Sequence, residues 1–325
     1  NNVVFTYTLT DLSIATVEID ISEDSGATWT VTDTSVSGDI GAGITSGAGK
    51  SITWNAGTDF NEQEQTDIRV RARALDVFGN QSSFTQSANF TLDTKNPVVA
   101  NVSATQNSGL NTVAITYDLS DAHNSTVELD ISEDGGATWT VTDTSVSGAV
   151  GAGITSGTSK AITWDAGTDF SGQDQSDIRV RVRATDTFAN SSGNAESANF
   201  SLDSKAPAIT NVAASQTAGS TNVSFTYDLV DSGAVNIALD ISQDSGATWI
   251  VTDASVIGAV GADVVPGTDK TIIWDAGTDF DEEQQSDMRV RIRGFDTHNN
   301  VSANIQSADF ILDTLNPVVN VAVHL

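Results

Sequence analysis

Trp29, Trp139 and Trp249 stand 110 residues apart, and each closes a nearly identical stretch of ten residues that opens at Asp20, Asp130 and Asp240. Tyr7/Tyr117/Tyr227, Trp54/Trp164/Trp274 and Pro97/Pro207/Pro317 keep the same interval, so three copies of one unit follow each other without net insertion or deletion. That is the sequence form of a tandem domain array. The 325 residues divide into three units, each large enough to bury its own core. We place them at residues 1–95, 96–205 and 206–316, with a C-terminal segment at 317–325.

In the middle copy, residues 112–120 alternate Val113, Ile115, Tyr117 and Leu119 with small or polar residues, the period-2 pattern of a half-buried strand. The same pattern marks Val127/Leu129/Ile131, Trp139/Val141, Ile162/Trp164, Ile178/Val180/Val182 and Ala198/Phe200/Leu202, and a strand after Pro97 brings the count to seven. Turn residues separate these runs at 121–124, 133–136, the Gly-rich 147–157 and 188–190. Short alternating strands at this density predict an all-β chain of three tandem seven-stranded sandwiches of the immunoglobulin or fibronectin type III kind.

The net charge of −29 disfavours nucleic acid and anionic membranes as partners and favours divalent cations over polyanions. With no cysteine, each domain must stand without disulfides, and thiol chemistry is excluded. No apolar run approaches the ~18 residues of a membrane span, and no leader pattern is present. The chain opens on Asn rather than Met, the mark of a removed leader or of a window cut from something longer. An acidic, Cys-free, Ser/Thr-rich repeat chain is expected outside the cell or on its surface.

Arginine occurs only at 69, 71 and 73 and their counterparts Arg179/Arg181/Arg183 and Arg289/Arg291/Arg293, always on the outward face of the sixth strand. Glu128 and Asp130 (Glu18 and Asp20; Ala238 and Asp240) hold the outward positions of the third strand. A cross-strand salt-bridge ladder follows, worth a few tenths to about 1 kcal/mol per pair.

Ser22-x-Asp24-x-Gly26-x-Thr28-Trp29 recurs at Ser132, Asp134, Gly136, Trp139 and at Ser242, Asp244, Gly246, Trp249. It resembles the Asp box of sialidases and other propellers. The resemblance implies a hairpin whose Ser and Asp organise backbone donors while the Trp packs inward, with no catalytic residue. The period is more than twice a propeller blade, and no Tyr/Glu nucleophile pair stands near an arginine cluster, so the box does not carry sialidase activity here. Across each repeat, the stretches 146–154, 160–167 and 179–186 resemble fibronectin-III-like or immunoglobulin-like modules of bacterial surface and secreted proteins, which implies a spacer, stalk, adhesive or fibrous role.

No catalytic set is expected. His123, His298 and His324 fall at non-equivalent positions and read as solvent-exposed turn or edge residues. Asp275, Asp279, Asp281, Glu282, Glu283 and Asp287 follow no EF-hand spacing. We assign neither metal ligand nor cofactor; calcium in that loop, or near Asp93 and Asp203 at the domain joints, is the ion left open.

Asn1 aligns with Asn111, so the first unit begins at its second strand, while Val318 to Leu325 repeat the start of a first strand. The internal counterparts break their alternation at Asn101 and Asn211, whereas Val319, Val321, Val323 and Leu325 keep one face apolar. Val318, Val319, Val321, Val323 and Leu325 are therefore expected to form a donor strand, and Val3, Phe5, Tyr7 and Leu9 its acceptor on another copy of the chain. A donor and acceptor at opposite ends make a head-to-tail contact that propagates into a fibre. The expected role is a structural, non-enzymatic filament subunit; the alternatives are a segment of a longer surface stalk or adhesin, or a carbohydrate-binding module with glycans or surface ligands as partners.

Overall fold

The computed structural model describes residues 1–321. In the middle repeat, Val98–Gln106 pairs antiparallel with Thr112–Ser120, which pairs with Gly157–Asp165, and that strand carries the short Val146–Gly148. The second sheet runs Gly151–Ile154, Ser125–Ser132, Asp174–Asp186 and Ala195–Glu196, with Phe200–Asp203 paired to the other end of the long strand. The third repeat has the same two sheets. The first repeat has the second sheet whole, but among the described residues its other sheet holds only Asn2–Leu9, Gly47–Asn55 and Val36–Gly38.

The alternation explains the cores. One face of Thr112–Ser120 sends Val113, Ile115, Tyr117 and Leu119 against Val127, Leu129, Ile131, Val180 and Val182 of the opposite sheet, around Trp164. Trp164 is fully buried, and its Nε1 donates to Asp169 Oδ2 at 3.1 Å; the Tyr117 hydroxyl donates to the Ala149 carbonyl at 2.6 Å. Both polar tips are thus satisfied inside an apolar packing unit. No described helix is long and apolar enough to cross a membrane.

Two expectations change. Trp139 and Val141 form no strand; Val141 makes a single bridge to Ile131. Instead the Gly-rich stretch yields two short strands and the Ser-rich stretch another, so a complete repeat has nine segments rather than seven. Glycine permits the first of them: Gly148 has φ +100°, and a Cβ there would meet the Ala161 carbonyl oxygen at 2.4 Å.

The break at Asn101 is a β-bulge. Asn101 has φ +54°, the register against Thr112–Ser120 slips beside it, and its Nδ2 donates to Asp118 Oδ2 at 2.7 Å. Val99 before the bulge and Val102 and Ala104 after it all pack on the core, because the extra residue resets the phase. Asn211 and Asp228 repeat the device at 2.6 Å.

Candidate functional site

Among the described residues no strand pairs with the second edge of Asn2–Leu9. Val113, Ile115 and Tyr117 are 0% exposed, whereas Val3, Phe5 and Tyr7 at the same repeat positions are half-buried. Leu9 alone of the four stays buried. The exposed side is a groove of about 560 Å³ lined by Tyr7, Leu9, Val17, Ala72, Ala74 and Thr85 among others, and a smaller one continues past Phe5, Ile52 and Val70. In the middle repeat, Val98–Gln106 lies over the corresponding part of Asp174–Asp186. The tyrosines register the difference: burial pushes Tyr117 and Tyr227 up to about 12, while Tyr7 is raised by a lesser burial and by the Asp39 charge.

At the other end, Val318, Val319 and Val321 are 81%, 84% and 84% exposed and belong to no strand. Val323, Leu325 and His324 lie outside the described residues. Where Asn101 and Asn211 form the bulge, the tail has Val321, and where Asp118 and Asp228 hold that asparagine, the first repeat has Thr8. Both halves of the pinning pair are absent together, a correspondence that sequence comparison within the chain contains but that only the bulge geometry makes meaningful.

The three Ser-x-Asp-x-Gly-x-Thr-Trp stretches are turns held by their own side chains. In the second, Ser132 Oγ accepts from the Gly136 amide at 2.8 Å and donates to Asp134 Oδ1, which accepts from the Thr138 amide at 2.8 Å. These bonds hold Asp24, Asp134 and Asp244 down to about 2. The Trp does not pack inward as the resemblance implied. Trp29, Trp139 and Trp249 lie on the outer face with Arg71, Arg181 and Arg291 4.4–4.5 Å from their ring centroids, because the hairpin folds back over the arginine side of its sheet. The core tryptophans are Trp54, Trp164 and Trp274.

The ladder forms in register: Glu128 faces Arg183 and Asp130 faces Arg181, with N–O distances of 2.5 and 2.8 Å. Arg293 faces Ala238 and has no ion pair among the described residues. In the acidic loop of the third repeat, Asp275 caps a helical turn through the Thr278 amide and Asp279 accepts from Trp274 Nε1, so these two are structural carboxylates.

The joints between repeats hold side chains that the sequence left apart. Asn190 Nδ2 donates to the Asp93 carbonyl at 3.2 Å and Asn300 Nδ2 to the Asp203 carbonyl at 3.3 Å; Asn1 bonds Asn190, and Asn111 bonds Asn300. His123 and His298 are not free turn residues: their Nδ1 atoms are buried in these seams beside Asp93 and Asp203, at 2.9 and 3.7 Å. Their positions in the repeat differ, which is why spacing concealed a shared location.

No protein-family model matches the chain and no curated protein matches it in sequence. Among solved structures, extracellular domains 3–5 of Drosophila OTK are similar at 9% identity and a TM-score of 0.25, over 95% of this chain and 91% of that one. The reading of the sites therefore rests on their own geometry.

Proposed function

We propose that the chain is a non-enzymatic structural subunit of an extracellular filament, in which the segment after Pro317 of one copy fills the open groove of the first repeat of the next. The observation that carries the reading is the half-exposed row Val3, Phe5 and Tyr7, whose counterparts are fully covered wherever a first strand is present. The tail suits the groove in detail. A β-branched residue at 321 disfavours the left-handed bulge, so the strand runs on unbroken and keeps Val319, Val321, Val323 and Leu325 on one face. Thr8 asks for no asparagine. Each valine moved from water into the groove contributes roughly 1.5–3 kcal/mol, gross, against the cost of association.

A second reading shares the groove and changes the covalent context. At both joints of this chain the first strand is the direct continuation of the preceding repeat, as 96–106 shows, so the tail equally suits the first strand of a further repeat in a longer surface stalk. Light scattering separates the two. Under the filament reading the chain polymerises and deletion of 317–325 leaves monomers; a chain that stays monomeric at every concentration supports the stalk.

A further inference from the structure

We propose that each of the two joints between repeats binds a divalent transition-metal cation, held by a carboxylate of the leading repeat together with carboxylate and imidazole groups of the following one. At the first joint Asp93, Asp121 and His123 bring one donor atom each within 4.8 Å of the others. Asp93 Oδ2 lies 2.9 Å and Asp121 Oδ1 4.0 Å from His123 Nδ1. At the second joint Asp203, Asp296 and His298 also bring one donor atom each within 4.8 Å of the others, the second carboxylate now coming from the turn that holds His298, and Asp174, Asp203, Asp231 and Lys205 line a cavity of about 280 Å³ beside it.

Two observations beyond the carboxylates themselves point to a ligand. First, the seams contain buried polar atoms with nothing to bond. The side chains of Asp93 and Asp121 are 2% and 4% exposed. Asp93 Oδ1 accepts from the Lys95 amide, while Oδ2 faces His123 Nδ1 across the seam at 2.9 Å. His123 Nδ1, His298 Nδ1 and Asp231 Oδ2 are buried without a hydrogen-bond partner. An orphaned buried polar atom costs on the order of 1–3 kcal/mol, more for a charged one, and with one such atom at the first joint and two at the second, each seam calls for an occupant.

Second, the imidazole arrives by two routes. His123 sits in the turn after the second strand, where the third repeat has Gly233; His298 sits in the turn after the long strand, where the second repeat has Phe188. Phe188 packs edge-on against His123 at 4.8 Å. Repeat duplication explains the recurring aspartates but not a nitrogen placed at the same seam from different loops.

Charge points the same way. No Lys or Arg forms an ion pair with Asp93, Asp121, Asp203 or Asp296 among the described residues. A bound cation supplies the missing positive charge and uses the idle lone pairs. The donor set selects among cations: calcium and magnesium take oxygen ligands, whereas an imidazole with carboxylates suits zinc or manganese. The first repeat has Asp11 and Asp76 at these positions but Ser13 and Phe78 in place of the histidines. A junction with the preceding copy therefore lacks the nitrogen, and the number of sites is two per chain whether or not strand donation occurs.

The test is isothermal titration of the chelator-stripped full chain with zinc chloride and manganese chloride at neutral pH, calcium chloride serving as comparison. Two sites per chain are expected. His123→Gln and His298→Gln should each weaken one of the two sites at least ~10-fold, and the double variant both, with circular dichroism of the metal-free proteins unchanged. Asp281→Asn, in the third-repeat loop, should leave the count at two. The proposal is overturned if no saturable binding occurs at roughly millimolar metal, if binding ignores the histidine variants, as diffuse binding to an acidic surface would, or if calcium binds the parent as tightly as zinc and manganese do.

Discussion

Phe5 and Phe225 occupy the same repeat position and the same aromatic cluster, and differ in whether a first strand covers them. Phe5 lies 6.5 Å from Trp54 and 6.1 Å from Phe90, Phe225 lies 6.2 Å from Trp274 and 6.0 Å from Phe310, yet Phe225 is wholly buried and Phe5 half so. Phe225→Ala should cost about 3–5 kcal/mol, the transfer loss plus a closed cavity. A half-covered ring leaves on the order of 50 Å² in water, which at about 25 cal/mol per Å² lowers the loss by about 1 kcal/mol. Water refills the open side, which removes part of the cavity cost as well, so Phe5→Ala should cost about 2 kcal/mol in a chain lacking 317–325. Native-state hydrogen exchange read by mass spectrometry reports the two sites separately, through the amides of Gly47–Asn55 and Gly267–Asp275. In assembled protein the two penalties should converge, because the donated strand covers Phe5. Equal penalties in the tail-less monomer would refute the reasoning, since they would mean that Phe5 is already covered.

Spectrophotometric titration of the tail-less monomer should show two tyrosines ionising near 12 and Tyr7 below them, with Tyr7 joining the others once the groove is filled. Asp24, Asp134 and Asp244, held near 2 against an ordinary 3.8, stabilise the folded state above pH 4, and that contribution is lost as the pH falls from about 4 through 2. The joint aspartates Asp93, Asp121 and Asp203 carry the opposite sign: their folded values are raised, so protonation on mild acidification should strengthen the seams before the hairpins fail. Calorimetry in metal-free buffer across this range checks both. Arg181→Ala, which breaks the pair with Asp130 and the contact with Trp139, should cost up to about 1 kcal/mol in denaturant unfolding, and Arg293→Ala, opposite Ala238, should stay within about 0.5 kcal/mol. Asp169→Ala strands the buried Trp164 Nε1 and the Ser145 amide, and should cost about 1–3 kcal/mol per orphaned donor in the same assay.

The sandwich fold was legible because its strands obey one rule, apolar in and polar out, and because three copies of the pattern reinforce each other. The arginine ladder was legible for the same reason: once the strands neighbour each other, the outward residues must face. What stayed hidden depends on departures from the rule. Asn101 breaks the alternation, and only its left-handed φ and its bond to Asp118 show the break to be a bulge that restores the phase. Trp139 sits in an alternating run yet lies over Arg181, since the turn held by Ser132 and Asp134 competes with strand pairing for the same backbone donors. The joint cluster was the furthest from view. Asp93 and His123 belong to different domains, and His123 and His298 to different turns, so neither spacing nor periodicity could bring them together.

Mixing two single-cysteine proteins tests strand donation most directly, because the chain has no other cysteine. In the middle repeat Asp118 pairs with Ala100; the equivalent residues at an intermolecular junction are Thr8 and Asn320, both exposed in the free chain. Cα atoms of directly paired strand residues lie within the range a disulfide spans. Under mild oxidation Thr8→Cys mixed with Asn320→Cys should give a cross-linked heterodimer on a non-reducing gel, and the double variant a ladder of higher multiples, while Thr8→Cys with Val318→Cys, two residues out of register, should give neither. Absence of the in-register product, or equal yield from the displaced pair, would contradict the account.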